Sequence, residues 1–325
     1  MTDGESGPVL HLPARDIPVP ASLSPQAQAI VGMGPLDATE YPALDDKDAW
    51  RTMIADRDAF IVSMVGDRLS DVPADVAEEV VDGVPVYVVT PDDLPSDDRR
   101  AYLEIHGGAF ITGGGEPCRI MGLRAVGRSR VRTWAVDYAM PPDHPFPASV
   151  NDCLTVYRAL LRDHDPGEII VSGASAGGNL AAAMILRARD EGLPLPAAAV
   201  LQTPEADLTE SGDSFQTNLG LDNLLTASLM PANLLYADGH DLTDPYLSPL
   251  FADFTKGYPP TILITGTRDL FLSNTVRLHR ALRAAGLQSE LHVVEGAGHG
   301  VFLGQAPEDE EIEVEVRAFI DAHWA

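Results

Sequence analysis

Ser175 stands in Gly173-Ala174-Ser175-Ala176-Gly177, directly after the apolar run Ile169–Val171 and directly before an amphipathic stretch. A G-x-S-x-G sequence between a strand and a helix sets the serine on a sharp turn with its hydroxyl thrust out of the fold. Side chains two positions either side would clash in so tight a turn, which accounts for Gly173 and Gly177. The Ala176 amide then opens the helix and points toward any oxyanion forming at Ser175. The chemistry so indicated is nucleophilic, a hydroxyl that attacks once a base removes its proton. Taken alone, the motif is explained equally well as a glycine-rich turn serving only the backbone.

Other residues narrow the choice. His106-Gly107-Gly108-Ala109-Phe110 follows the strand-like run Ala101–Ile105, where small residues leave backbone N–H groups free and close to a substrate oxygen. Gly113-Gly114-Gly115 adds room for close approach. His106 is read as structural, an imidazole bracing the loop through hydrogen bonds. Of nine histidines, His299 stands apart, in the glycine-rich loop Glu295-Gly296-Ala297-Gly298-His299-Gly300 after the last strand. A base needs an acid to hold its tautomer, and Asp269 follows the run Thr261–Thr265. Glu205 and Asp207, after Ala197–Leu201, compete for that role. The chain order Ser175, Asp269, His299, each past a strand end, is the order of an α/β hydrolase.

Strands and helices must alternate to carry these groups. Val76–Val81 and Val84–Val89 flank Asp82-Gly83, a two-residue hairpin turn. Apolar runs follow at Ala101–Ile105, Val131–Val136, Ile169–Val171, Ala197–Leu201, Thr261–Thr265 and Leu291–Val294. Helical stretches such as Val150–Arg162, Ala176–Arg189 and Asn274–Ala285 lie between them. The pattern predicts a mostly parallel sheet with helices on both faces, opened by an antiparallel hairpin. To about residue 40 the chain is rich in Pro and Gly and reads as an extended arm. From Asp45 to about Leu69 apolar residues recur at helical spacing. Residues 205–255 are polar, turn-rich and long for a connection, so they form an insertion with its own helices or a lid.

Composition removes several classes of function. With 45% hydrophobic and 22% charged residues, the 325-residue chain can bury a large core. No apolar run approaches the ~18 residues that span a bilayer, and no signal peptide is visible, so the expected location is cytoplasmic. The 49 acidic and 22 basic residues give a net charge of −27, which repels nucleic acid and anionic membrane surfaces. Cys118 and Cys153 show no metal-ligand spacing and no disulfide framework, and are read as buried free thiols. The site calls for no cofactor and no metal.

These residues resemble the bacterial hormone-sensitive-lipase-like (family IV) esterases, over about three quarters of the chain from roughly Val80. His106–Phe110 matches the HGGG[FW] motif, Gly173–Gly178 matches GDSAGG, and Asp269 follows Gly266-Thr267-Arg268. His299-Gly300-Val301-Phe302 and Asp137-Tyr138 through His144-Pro145-Phe146-Pro147-Ala148 match two further stretches. Ala109 replaces a family glycine, Ala174 an aspartate, and Ala139-Met140-Pro141 an Arg-Leu-Ala run. The resemblance implies an α/β-hydrolase fold with eight strands and a helical cap made of residues 1–75 and 205–255 over a core of 76–204 and 256–325. The function expected is a cofactor-independent carboxylester hydrolase for short- to medium-chain acyl esters. Ser175 is its nucleophile, His299 its base and Asp269 the orienting acid. The amides of Gly108, Ala109 and Ala176 take the oxyanion, with Gly107 shaping the turn. A lactone or amide hydrolase on the same triad is the alternative. A non-catalytic small-molecule receptor on this fold is a more distant one. The expected partner is a small-molecule ester, and homodimerisation is left open.

Overall fold

The computed structural model of the protein describes residues 9–65 and 72–325. Eight strands form one sheet: β1 (Ala74–Val81), β2 (Val84–Pro91), β3 (Ala101–Ile105), β4 (Arg132–Val136), β5 (Ile169–Ala174), β6 (Ala198–Gln202), β7 (Thr261–Gly266) and β8 (Ser289–Val294). Their order is β1-β2-β4-β3-β5-β6-β7-β8. The hairpin turns at Asp82-Gly83, both at positive φ, and pairs β1 with β2 antiparallel. β2 also runs antiparallel to β4, and every pairing from β4 to β8 is parallel. From β3 the chain moves outward to β4 and then returns to place β5 on the other side of β3. That reversal opens a crevice at the carboxyl ends of β3 and β5, the usual ligand position in such sheets.

Parallel strands need crossovers, and helices supply them. The helices are α1 (Pro25–Gly32), α2 (Lys47–Val65), α3 (Glu116–Ser129), α4 (Ala148–Asp163), α5 (Ala176–Asp190), α6 (Ser214–Thr217), α7 (Met230–Ala237), α8 (Leu272–Ala284) and α9 (Pro307–His323), of which α1 and α2 precede the sheet and α9 follows it. The two-residue period of a strand sends alternate side chains to opposite layers. Leu103, Ile105, Val171, Leu201 and Leu263 pack with Leu154 of α4, Leu180 of α5 and Leu278 of α8. Tyr102, Ile170, Val200 and Ile262 face the other way, toward Val31 of α1, Ala125 of α3 and Phe319 of α9. Truncating a leucine such as Leu154 or Leu180 in these layers costs about 2–5 kcal/mol.

The N-terminal part corrects the expectation of an extended arm to residue 40, because Pro25–Gly32 is helical. Ser24 caps it by accepting the Ala27 N–H at 3.1 Å, and Pro25 opens it. Helicity does continue from Lys47 to Val65, and the expected extension to Leu69 lies outside the described residues. Trp50 of α2 is fully buried against Ile111, Ala232 and Leu235, so α2 and α7 both pack on the loop that leaves β3. Residues 205–255 contain α6, α7 and two 3-10 turns, at Pro249–Phe251 and Phe254–Lys256. Cys118 and Cys153 are buried free thiols. Among the described residues no helix is long and apolar enough to cross a membrane.

Candidate active site

Ser175 sits between the end of β5 and the start of α5 with φ 59° and ψ −124°. A non-glycine residue holds so strained a backbone only where its surroundings over-determine it. Gly173 and Gly177 do so here. A Cβ on Gly177 would lie 2.0 Å from the Ile105 carbonyl oxygen, and one on Gly173 would lie 2.2 Å from the Gly177 carbonyl oxygen. The turn is thus pressed against the end of β3. Gly107 is held equally close, since a Cβ there would meet Ser175 Cβ at 3.2 Å and the Ala174 oxygen at 2.7 Å.

The loop after β3 turns through positive φ at Gly108 (126°) and Ala109 (52°). Three donors converge on the Gly108 carbonyl: Ile111 N–H at 3.0 Å, Thr112 N–H at 2.9 Å and the Thr112 hydroxyl at 3.0 Å. With that carbonyl committed, the opposite side of the turn carries the amides. Among the described residues, the N–H groups of Gly107, Gly108, Ala109 and Ala176 have no protein acceptor. His106 braces the loop as expected. Its Nδ1 lies 2.8 Å from the Gly107 oxygen, and its ring stacks on Tyr138 at 4.0 Å, whose hydroxyl donates to the His106 carbonyl. Burial, against the weaker pull of the Gly107 bond, pushes the His106 imidazole down to about 4, so it is neutral. His106, Cys118 and Asp137 also converge, with potential ligand atoms within 4.8 Å of one another, a grouping that their sequence spacing conceals.

Asp269 follows β7 and is fully buried. One oxygen accepts the Thr265 hydroxyl at 2.7 Å; the other accepts the Phe271 N–H at 2.8 Å and faces His299 Nδ1 at 3.2 Å. His299 lies in the loop after β8, its ring edge-on to Phe271 at 5.0 Å. Burial opposes a charge on this imidazole. The hydrogen bond and charge of Asp269, with the charge of Asp222, outweigh burial and hold it above its ordinary value. A proton shared with Asp269 at Nδ1 leaves the lone pair on Nε2.

The competing acids are engaged elsewhere. Asp207 accepts from Ser211 and Arg277 at 2.7 and 2.6 Å. Glu205 accepts the Asn233 amide at 2.8 Å through one oxygen and is wholly buried, which pushes its carboxyl up to about 8. Its backbone N–H donates to the Ser175 carbonyl at 3.2 Å. Sequence reasoning missed Asp222. One of its oxygens accepts the His299 N–H at 3.1 Å and the Leu270 N–H at 2.9 Å; the other accepts from Leu224 and Leu225. This carboxylate ties the His299 loop to the loop carrying Asp269. Only the Asp-Asn pair at 222–223 in an otherwise turn-rich stretch hinted at a capping role.

A cavity of about 660 Å³ opens between α2 and residues 36–39, reaching the loop after β3 only at Thr112 and lined by neither Ser175 nor His299. Met53, Phe60 and Ile61 of α2 line it with Arg57, Thr112 and Leu224. Arg57 lies 5.9 Å over the Tyr41 ring and hydrogen-bonds the Thr39 hydroxyl. The wall therefore mixes apolar surface with charge.

Residues 102–303 match a family described as the alpha/beta hydrolase fold, the class that this sheet and serine turn also define. The chain resembles the solved structure of esterase E25, with TM-score 0.90 and 36% identity over 98% of this chain and 99% of that one. It also resembles an esterase structure from the bacterial hormone-sensitive lipase family, with TM-score 0.78 and 29% identity over 93% and 99% of the two chains. An esterase of Acinetobacter venetianus is 32% identical over 61% of this chain and 66% of its own length. An acetyl-hydrolase of Streptomyces hygroscopicus is 36% identical over 58% and 64%. The chain thus aligns with somewhat under two thirds of the length of these two curated relatives. It belongs to the hormone-sensitive-lipase-like esterase family of the α/β-hydrolase fold.

Proposed function

We propose that the protein is a serine carboxylester hydrolase for short- to medium-chain acyl esters, working through an acyl-enzyme. One arrangement carries this reading: Ser175 on its strained turn at the end of β5, the Gly107 turn packed against it, and an Asp269–His299 pair at the ends of β7 and β8. Ser175 Oγ attacks the ester carbonyl while its proton passes to His299 Nε2. The oxyanion receives the N–H groups of Gly108, Ala109 and Ala176, and Gly107 lets the two loops approach. Collapse breaks the bond to the alcohol, which leaves with the proton from Nε2. A water then attacks the Ser175 ester, again giving its proton to His299, and the acid departs as Ser175 Oγ takes the proton back. Asp269 fixes the imidazole and stabilises its charged form.

Residues 9–65 and 205–255 act in this reading as a cap. With α2 and α7 packed on the loop after β3, such a cap limits the length of acyl chain that fits, which supports short- to medium-chain esters. Relatives titled esterase and acetyl-hydrolase support the same class. Labelling with a fluorophosphonate tests it: one adduct per chain, mapped to Ser175, with parallel loss of ester turnover. An unreactive Ser175 in folded protein would favour a binding protein instead.

A further inference from the structure

The loop after β3 repeatedly enters the left-handed region, and at Ala109 and Phe110 it does so without glycine. Gly108, Ala109, Phe110, Gly113 and Gly115 all have positive φ. Such a path persists only where outside contacts hold it. The loop closes on itself through the Ile111 and Thr112 donors on the Gly108 carbonyl, and the core adds Asp137, which accepts the Gly115 N–H at 3.0 Å. A further contact comes from a different layer. Asp58, half-buried on α2, accepts the Gly113 N–H at 2.8 Å. Gly113 rests against the root of the loop, where a Cβ would lie 2.5 Å from His106 Nδ1 and 2.6 Å from the Gly107 oxygen. Whatever fixes Gly113 therefore fixes the surface on which Gly107 lies.

We propose that Asp58 is a positioning residue for ester hydrolysis: its bond to Gly113 holds the Gly107–Ala109 turn with its amides aimed at the oxyanion. The inference rests on the roles given above to Ser175 and those amides. α2 is already anchored by Trp50, so Asp58 couples a fixed helix to the loop it covers. Misaimed amides weaken transition-state binding more than ground-state binding, so kcat falls while KM holds.

The test compares Asp58→Ala with Asp58→Asn in the full chain on p-nitrophenyl acetate. Asparagine keeps a carbonyl oxygen for the Gly113 N–H, and alanine does not. Asp58→Ala is expected to lower kcat about tenfold or more with KM within about threefold, and Asp58→Asn to stay within about threefold on both. The rate of fluorophosphonate labelling should fall in step with kcat. A kcat for Asp58→Ala within about twofold of wild type would overturn the proposal. So would a loss confined to KM. Asparagine is isosteric and tests the bond even where alanine disturbs folding; a tenfold loss in Asp58→Asn would equally overturn it. Wild type with neither turnover nor labelling would instead defeat the esterase reading, and the proposal with it.

Discussion

Asp222 and Asp269 approach His299 from two sides, one at its backbone N–H and one at its ring. Both charges favour the imidazolium, against burial, so the imidazole titrates above the ordinary histidine value near 6.5. In the proposed mechanism only the neutral ring can take the Ser175 proton. Accordingly kcat/KM should fall as pH drops through a limb lying above 6.5, and a limb below 6.5 would contradict the geometry. Asp222→Asn should move that limb to lower pH while leaving measurable turnover, as a pH series on one ester would reveal. Asp269→Asn should lower kcat by about 10⁴, since it frees the wrong tautomer. At this scale the strained turn at Ser175 and the pairing of Asp269 with His299 were legible because each follows a strand within a glycine-marked turn. Asp222 was not. It has no local motif, and its significance comes from contacts with Leu270 and His299, 48 and 77 residues away.

Elements were most legible where burial is complete on both sides. β3, β6 and β7 have every residue buried and read as predominantly apolar runs, broken only by Glu104, Gln202, Thr261 and Thr265. α1 escaped notice because its start is secured from afar: Glu308 accepts the Ser24 N–H at 2.7 Å and its hydroxyl at 2.8 Å across 284 positions. α2 was visible through its period, and its bonding to the loop after β3 was not. The turn at Ser175 supplies the sharpest test of element packing. Gly177→Ala would place a methyl 2.0 Å from one carbonyl oxygen and 2.5 Å from another, both on backbone that cannot rotate away. The expected cost is about 3 kcal/mol or more, seen as lost soluble yield or a clear fall in Tm. An unchanged Tm would mean the turn is looser than the structure has it. Trp50→Ala, which empties the contact between α2 and α7, should cost about 3–5 kcal/mol by urea denaturation.

Across the whole molecule, charge and buried acids set the response to solution conditions. A net charge of −27 on 325 residues repels itself. Raising sodium chloride from about 0.05 to 1 M shortens the screening length several-fold, so Tm should rise. A flat Tm would mean the negative charges are too dispersed to matter. Glu104 and Glu205 are pushed by burial up to about 6 and about 8, above the unfolded carboxyl value. A raised folded value gives stability that is full below the unfolded value and is lost as pH rises through the folded one. Glu205→Gln, which stays neutral, should therefore gain more Tm over wild type at pH 9 than at pH 6, where only part of that stability has been lost. Equal differences at both pH values would contradict the assignment. The charge was legible beforehand and the buried acids were not: Glu205 read as a candidate acid for His299, and only its bond to Asn233 and full burial set it apart.

The central claim is that Ser175 turns over esters. Initial rates on p-nitrophenyl esters from acetate to palmitate, with Ser175→Ala alongside, test it most directly. The account predicts highest rates on short to medium chains and a loss of about 10⁴ or more in the variant. Ester turnover that survives in Ser175→Ala at near wild-type rate would contradict it.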